Sequence, residues 1–321
     1  MNGAMIRRLR NAAGSFVSIA ELGAEPHAIR QDLEAIESFG FLLERHPYHG
    51  VAWRGAAPRL CPDQIEWELG TSRVGRRIAV WNRVSSTNDL AAAAAGSKAN
   101  DGFVVLAEEQ TEGRGRRGRA WIAPPGSSLL LSTLIFPTGP LADPSWLTAL
   151  GAVAVADVVS EVTQQEVHIK WPNDVRVDGR KIAGILIERG VGAILGIGVN
   201  VNFVAEDLPP MLRDLATSLQ MITGSAWDRS ELARDLIKRL DDLYLEGIES
   251  GPSCLAERWA RRLEPMGRDI ILKTRQGEVA GRLVEADLIR GLRILLNPGA
   301  TRWVSHAEIL GIDGEIVAHL S

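Results

Sequence analysis

Nine residues, Gly113-Arg114-Gly115-Arg116-Arg117-Gly118-Arg119-Ala120-Trp121, hold four arginines and three glycines. Arginine presents a rigid fork of donors that fits phosphate and carboxylate. Glycine lets the backbone turn tightly or approach a ligand closely. The stretch is either a solvated basic loop or a mobile clamp over an anion. A second dense run, His168-Ile169-Lys170-Trp171-Pro172-Asn173-Asp174-Val175, stands at the end of a strand-like segment. Beyond the Asp178-Gly179 turn signal, Lys181 opens an otherwise apolar run ending at Glu188. Lys181 either snorkels at a strand edge or stands beside developing negative charge. Asp174 is open to three roles: a turn carboxylate, a Mg2+ ligand or a nucleotide anchor. Ser86 and Asn88 either cap a helix or read the polar edge of a small ligand.

These groups lack an obvious covalent nucleophile. There is no GxxxxGK[ST] phosphate loop and no G-x-S-x-G elbow. The six histidines are scattered, and the two cysteines, Cys61 and Cys254, are not in a metal-ligand spacing. What remains suits charge stabilisation and alignment of two reactants. The reaction that uses such a set is attack of a carboxylate on the α-phosphate of ATP, followed by acyl transfer from the adenylate to an acceptor. A closing loop would keep water from the adenylate.

The elements that must hold these groups follow from pattern. Strands are expected at 78–81, 103–107, 129–136, 182–188 and 192–202. Ser86 caps a helix that the following alanines propagate to Gly96. Asp143-Pro144 opens another, through about residue 159, and further helices are expected at 211–220, 229–247 and 253–263. Short strands at 269–273, 278–284, 292–296 and 301–304 read as a small β-barrel. The first sixty residues read as three helices, at 4–13, at 19–22 capped by Ser18, and at 27–39, followed by a hairpin. That is the outline of a winged helix-turn-helix. On its third helix His27 and Arg30 would face DNA, but Gln31, Asp32, Glu34 and Glu37 are also expected to be exposed there, and acids repel phosphates. The region is also open to being a small helical domain that binds DNA weakly or not at all, or one that packs against the catalytic part. Seven arginines against six acidic residues in 1–60 leave that region nearly neutral.

Composition is that of an ordinary globular chain, with net charge −4, so any nucleic-acid role must rest on a local patch. No run near the N-terminus is apolar enough for a signal peptide. The alanine-rich 148–158 run is interrupted by Asp157 and is expected to stop short of a membrane span. A cytoplasmic location without membrane attachment is expected.

GRGRRGRAW at 113–121, KWPND at 170–174, GRKIAGILIE at 179–188 and GIGVN at 196–200, with Ser86-Thr87-Asn88, closely resemble the biotin–protein ligases. The N-terminal part resembles the winged helix-turn-helix of members that also repress biotin operons. The resemblance implies an α+β fold: a class II tRNA-synthetase-like mixed-sheet catalytic domain at 61–265, a winged helix-turn-helix at 1–60 and an SH3-like barrel at 266–321. It implies two steps: ATP and biotin give biotinyl-5′-adenylate, and biotin then passes to a lysine of a biotin carboxyl carrier domain. By motif, Ser86, Thr87, Asn88, Gln110, Arg114 and Gly115 would bind biotin. Arg116 and Lys181 would be catalytic, gripping the phosphate and the reacting carboxylate. Trp121, Lys170, Asn173 and Asn200 would serve ATP or the adenylate, and Asp174 the nucleotide and its Mg2+. A DNA operator and a homodimer are implied partners. A lipoate-type ligase and a biotinyl-adenylate-sensing repressor are the competing readings. In the C-terminal part, Asp287-Leu288-Ile289-Arg290-Gly291 is more apolar than the family's usual turn.

Overall fold

The computed structural model describes residues 1–23, 25–264 and 266–313; positions 314–321 of the expected C-terminal domain lie outside them. The N-terminal layer comprises α1 (Gly3–Asn11), β1 (Phe16–Val17), α2 (Ile19–Leu22), α3 (Pro26–Phe39), β2 (Leu42–His46) and β3 (Gly50–Gly55). The three helices and the hairpin stand where the sequence places them. β1 was not foreseen: two residues pair with β3 and make a β1-β3-β2 sheet. Ile29, Leu33 and Ile36 of α3 are buried, as their spacing predicts. Ser18 and Glu21 form a reciprocal capping box. His27 and Arg30 are exposed on α3. Asp32 and Glu37 are not free acids on that face: Asn2 donates to Asp32 at 2.7 Å and Arg45 to Glu37 at 2.6 Å.

The central unit runs through α4 (Pro62–Glu66), β4 (Arg77–Val84), α5 (Thr87–Ala93), β5 (Phe103–Gln110), β6 (Ser128–Ile135) and α6 (Pro144–Thr163). It continues with β7 (His168–Lys170), β8 (Asp174–Val177), β9 (Arg180–Arg189), β10 (Ala193–Asn200), α7 (Leu219–Thr223), α8 (Arg229–Glu249), α9 (Ser253–Arg261) and β11 (Leu263–Glu264). Eight strands form one sheet in the order β11-β7-β8-β9-β10-β6-β5-β4. Its β4–β5 and β11–β7 pairs are parallel and the rest antiparallel, so the fold is mixed α+β.

α6 packs on β8, β9 and β10 and is backed by α8 and α9. At 20 residues it is longer than the 148–158 run and meets the length and apolarity of a membrane span. Its apolarity is accounted for by burial in the core: the stretch from Ala149 to Ala156 is buried throughout. Gly151 allows the close approach, since a side chain there would meet Leu195 at 2.9 Å and Ile185 at 3.1 Å. Asp157 is paired with Arg239 and Arg262.

The helix expected at 211–220 is absent. A single turn at Pro210–Leu212 precedes α7, which Ser218 caps. The intervening backbone pairs with Lys181 instead: the Lys181 N–H donates to the Leu215 carbonyl at 2.8 Å and the Thr217 N–H to the Lys181 carbonyl at 2.9 Å.

The C-terminal sheet holds β12 (Asp269–Thr274), β13 (Gly277–Asp287), β14 (Gly291–Leu295), β15 (Thr301–Val304) and β16 (Ile309–Asp313), in the order β15-β14-β13-β12-β16. β16 was not read from the sequence. The unusually apolar turn at 287–291 is still tight: Asp287 Oδ1 accepts from the N–H groups of Ile289 and Arg290 at 2.8 and 2.7 Å, and Leu288 is buried.

Candidate active site

A cleft of about 410 Å³ lies over the strands β9 and β10, between the arginine loop and β16. Its floor is built by glycine. Gly184 of β9 stands opposite Gly198 of β10, with Gly196 two residues before. A Cβ on Gly198 would meet the Trp121 indole at 2.6 Å, and one on Gly184 would meet both that ring and Lys181 Nζ at 3.1 Å. Side chains at these positions would fill the furrow.

One end of the cleft is neutral and polar. Ser86 caps α5 by accepting from the Asn88 N–H, and Ser86, Thr87 and Asn88 are all buried. Thr87 donates to Gln110 Oε1 from its N–H at 2.7 Å and from its hydroxyl at 2.9 Å. Asn88 donates from Nδ2 to Glu188 at 2.8 Å, while its Oδ1 lies 2.6 Å from the Ser132 hydroxyl. Capping and ligand reading are therefore compatible here: the backbone turns the three residues toward the cleft, and Gln110, Ser132 and Glu188 fix their orientation.

The other end is cationic. The KWPND run is the tight link between β7 and β8, which brings Lys170 opposite Asp174. Asn173 is stitched to β9: it accepts from the Ile185 N–H at 3.1 Å and donates to the Ile185 carbonyl at 2.7 Å. Arg116 Nη1 donates to Asn173 Oδ1 at 3.3 Å. Lys181 Nζ sits 2.7 Å from Asp174 Oδ1 and 5.5 Å from the Trp121 ring centre. Lys181 and Asp174 thus form an ion pair within the cleft. Arg116 is exposed as a whole residue, yet protein crowds its guanidinium. That desolvation, ahead of repulsion from Arg117, lowers its pKa from the ordinary arginine value.

The structure brings Ser86, Thr87, Asn88 and Gln110 to the same cleft as Arg114, Gly115, Arg116 and Trp121, and as Lys170, Asn173, Asp174 and Lys181. Asn200 differs from its expected place on the nucleotide side. It does not line the cleft; its buried amide donates to the carbonyls of Thr217 at 2.9 Å and Lys181 at 3.3 Å. It braces the backbone that carries Lys181. Arg114 also departs from an anion clamp. It donates to Asp89 at 2.6 Å and to Glu188 at 3.1 Å, and its charge is already matched by two carboxylates. Those hydrogen bonds raise its pKa, and the bond from Arg114 is the first cause holding Asp89 below the usual carboxylate range. Glu188 was visible as the last residue of the GRKIAGILIE run, but nothing in the run points to its two partners. His27 and Arg30 lie outside the cleft.

Asp174 is the only carboxylate among the described residues lining the cleft. Among the described residues no group of three or more His, Cys, Asp or Glu side chains could hold a metal ion. That donor set fits Mg2+ carried largely by nucleotide phosphates, with one oxygen from Asp174, and not a protein-built metal cage.

A model of the biotin/lipoate A/B protein ligase family matches residues 80–202. A biotin–[acetyl-CoA-carboxylase] ligase of Mycobacterium tuberculosis is 34% identical over 245 residues, covering 70% of this chain and 91% of that protein. The chain belongs to the biotin protein ligase family. The bifunctional ligase/repressor BirA of Bacillus subtilis is 29% identical over 88% of this chain and 90% of its own. The fold of this family member superposes on the biotin protein ligase of Aquifex aeolicus, solved with biotin and ATP. The TM-score is 0.66 at 27% identity, covering 75% of this chain and 100% of that one.

Proposed function

We propose that the protein is an ATP-dependent biotin–protein ligase that makes biotinyl-5′-adenylate and passes biotin to a lysine of a biotin carboxyl carrier domain. One observation carries this reading: a single cleft joins a neutral hydroxyl-and-amide end to a cationic end across a glycine floor. The neutral end, Ser86, Thr87, Asn88 and Gln110, suits the uncharged ring head of biotin, and the furrow its chain. The carboxylate then lies toward Lys181 and Arg116.

In the first step a biotin carboxylate oxygen bonds to the α-phosphorus of ATP, and the bond to the β-phosphate bridging oxygen breaks, releasing pyrophosphate. Lys181 and Arg116 stabilise the charge on the phosphoryl oxygens and, with Lys170, align the reactants. Mg2+, held by the phosphates and Asp174, would neutralise phosphate charge. Asn173 orients Arg116. In the second step the neutral ε-amine of the carrier lysine attacks the acyl carbon, AMP leaves, and the amine loses a proton. Trp121 covers the adenylate and excludes water.

The N-terminal layer at 1–60 is read as a winged helix-turn-helix presenting His27 and Arg30 to a DNA operator. Residues 61–265 are read as a class II synthetase-like catalytic domain, and 266–321 as an SH3-like domain. A homodimer is included in this reading, and a reducing cytoplasm suits the free thiols of Cys61 and Cys254.

The test is incubation with biotin, ATP, Mg2+ and a carrier domain, read as a mass increase on the carrier lysine. Pyrophosphate exchange should depend on biotin and not on lipoate. Exchange with lipoate alone would move the protein to the lipoate-type reading; DNA binding with no exchange on either acid would make it a repressor only.

A further inference from the structure

We propose that Arg117 is a positioning residue that latches the arginine loop to the C-terminal sheet, so that closure of the cleft is an interdomain event. The proposal rests on the reading of the cleft as an adenylate-forming site. The loop is a small hairpin: the Gly115 N–H donates to the Arg119 carbonyl at 2.7 Å and the Trp121 N–H to the Gly113 carbonyl at 2.9 Å. Its arginines have separate tasks. Arg114 ties the root of the loop to α5 and β9 through Asp89 and Glu188. Arg116 reaches Asn173. Arg117, at the tip, donates from Nη2 to the Ile309 carbonyl at 2.7 Å, across 192 residues of sequence.

Both partners bear marks of this contact. Arg117 has φ 58° and ψ 37°, left-handed values that a non-glycine residue adopts at a cost and that surrounding contacts must hold. On the other side, Lys273 of β12 pairs with Gly311 and Thr274 with Ile309, so the register slips and Leu310 has no opposite number. Such a bulge interrupts the strand ladder and re-aims the chain beside it. Leu310, Gly311 and Ile312 then form the cleft wall. The latch thus closes the seam between lid and wall. It also gives the Arg117 charge a carbonyl partner beside Arg116, whose pKa is lowered first by burial and then by that charge.

The experiment uses the full chain as wild type, Arg117→Ala and Arg117→Lys. Amide hydrogen exchange is measured without substrate; the half-life of bound biotinyl-adenylate and the maximal rate of biotin-dependent pyrophosphate exchange are measured separately. Arg117→Ala should speed amide exchange in both 113–121 and 309–313. It should shorten the adenylate half-life about tenfold, as expected for loss of one charge-assisted hydrogen bond, with a smaller fall in maximal rate. Arg117→Lys, which keeps a donor, should restore part of both. Unchanged amide exchange at 309–313 in Arg117→Ala, or an adenylate half-life equal to wild type, would overturn the latch. Absence of pyrophosphate exchange by the wild type would instead overturn the functional reading, and the substrate-free amide exchange would still decide whether loop and β16 are coupled.

Discussion

The N-terminal layer and the C-terminal sheet flank the same catalytic unit, but they meet it on different terms. α1 is fixed by charge. Arg7 and Arg10 pair with Glu231 at 3.5 and 3.1 Å, and the Met1 amino group with Asp63 at 3.3 Å. None of those acids lines the cleft. The C-terminal sheet meets the unit at the chemistry itself. β16 supplies cleft wall, and His306 stacks on Trp171 of the KWPND run with ring centres 5.1 Å apart. His306 and Leu288 also line a smaller cavity, of about 180 Å³, whose wall includes Arg116. A change at the first seam should register as stability, whereas one at the second should register in kinetics.

Lys181→Ala, at the centre that both regions flank, sets the scale: adenylate formation should fall by about 10²–10³-fold with the fold intact. Normal burst kinetics of adenylate formation in that variant would remove Lys181 from the first step. His306→Ala should raise KM for ATP by about 2–10-fold, the worth of a lost ring stack, with little change in melting temperature. A loss of stability with unchanged kinetics would place the C-terminal seam in the same class as the other. Arg10→Ala should do the opposite, lowering stability by about 1 kcal/mol because a largely buried carboxylate loses a partly exposed partner. Its steady-state constants should stay within about twofold, since it is remote from the cleft.

Acidity offers a gentler probe of the C-terminal seam. Burial is the first cause holding His306 below the ordinary histidine value, ahead of its backbone hydrogen bonds, which act the other way. The unfolded chain therefore takes up this proton at a higher pH than the folded one. Stability is fully present above the unfolded value and is lost as pH falls below about 6.5, levelling off once the folded value is passed. Melting curves from pH 8 to 5 should show a drop that His306→Ala lacks. The smallest effect on ligation is expected from His27→Ala with Arg30→Ala: exposed changes of less than about 0.5 kcal/mol. DNA affinity should fall and its salt dependence flatten in the same protein; unchanged DNA binding would remove α3 as the contacting face.

The site was legible where its chemistry is clustered along the chain. Arg116, Asn173, Asp174 and Lys181 stand in dense polar runs among glycine and apolar residues, and they meet in one cleft. What stayed hidden depends on long-range pairing. Arg114 finds Asp89 and Glu188 at 25 and 74 positions and Arg117 finds Ile309 at 192, which no local pattern reports. For Asn200 only the resemblance of the GIGVN motif implies a place on the nucleotide side. Its amide was in fact needed to satisfy two inward carbonyls. The helix expected at 211–220 failed for a related reason, since Lys181 uses that backbone as a strand partner. β16 escaped because its alternation is brief and broken by the bulge at Leu310.

The position of Trp121 has a practical use. Its indole lies in the glycine furrow over Gly198, and its N–H is buried without a hydrogen-bond partner. Any molecule entering the furrow must push that ring aside or slide beneath it, changing the polarity it senses. The chain has nine tryptophans, so the signal is the difference between wild-type emission and that of Trp121→Phe. The protein carries its own optical gauge of occupancy, and binding can be followed in real time without a label.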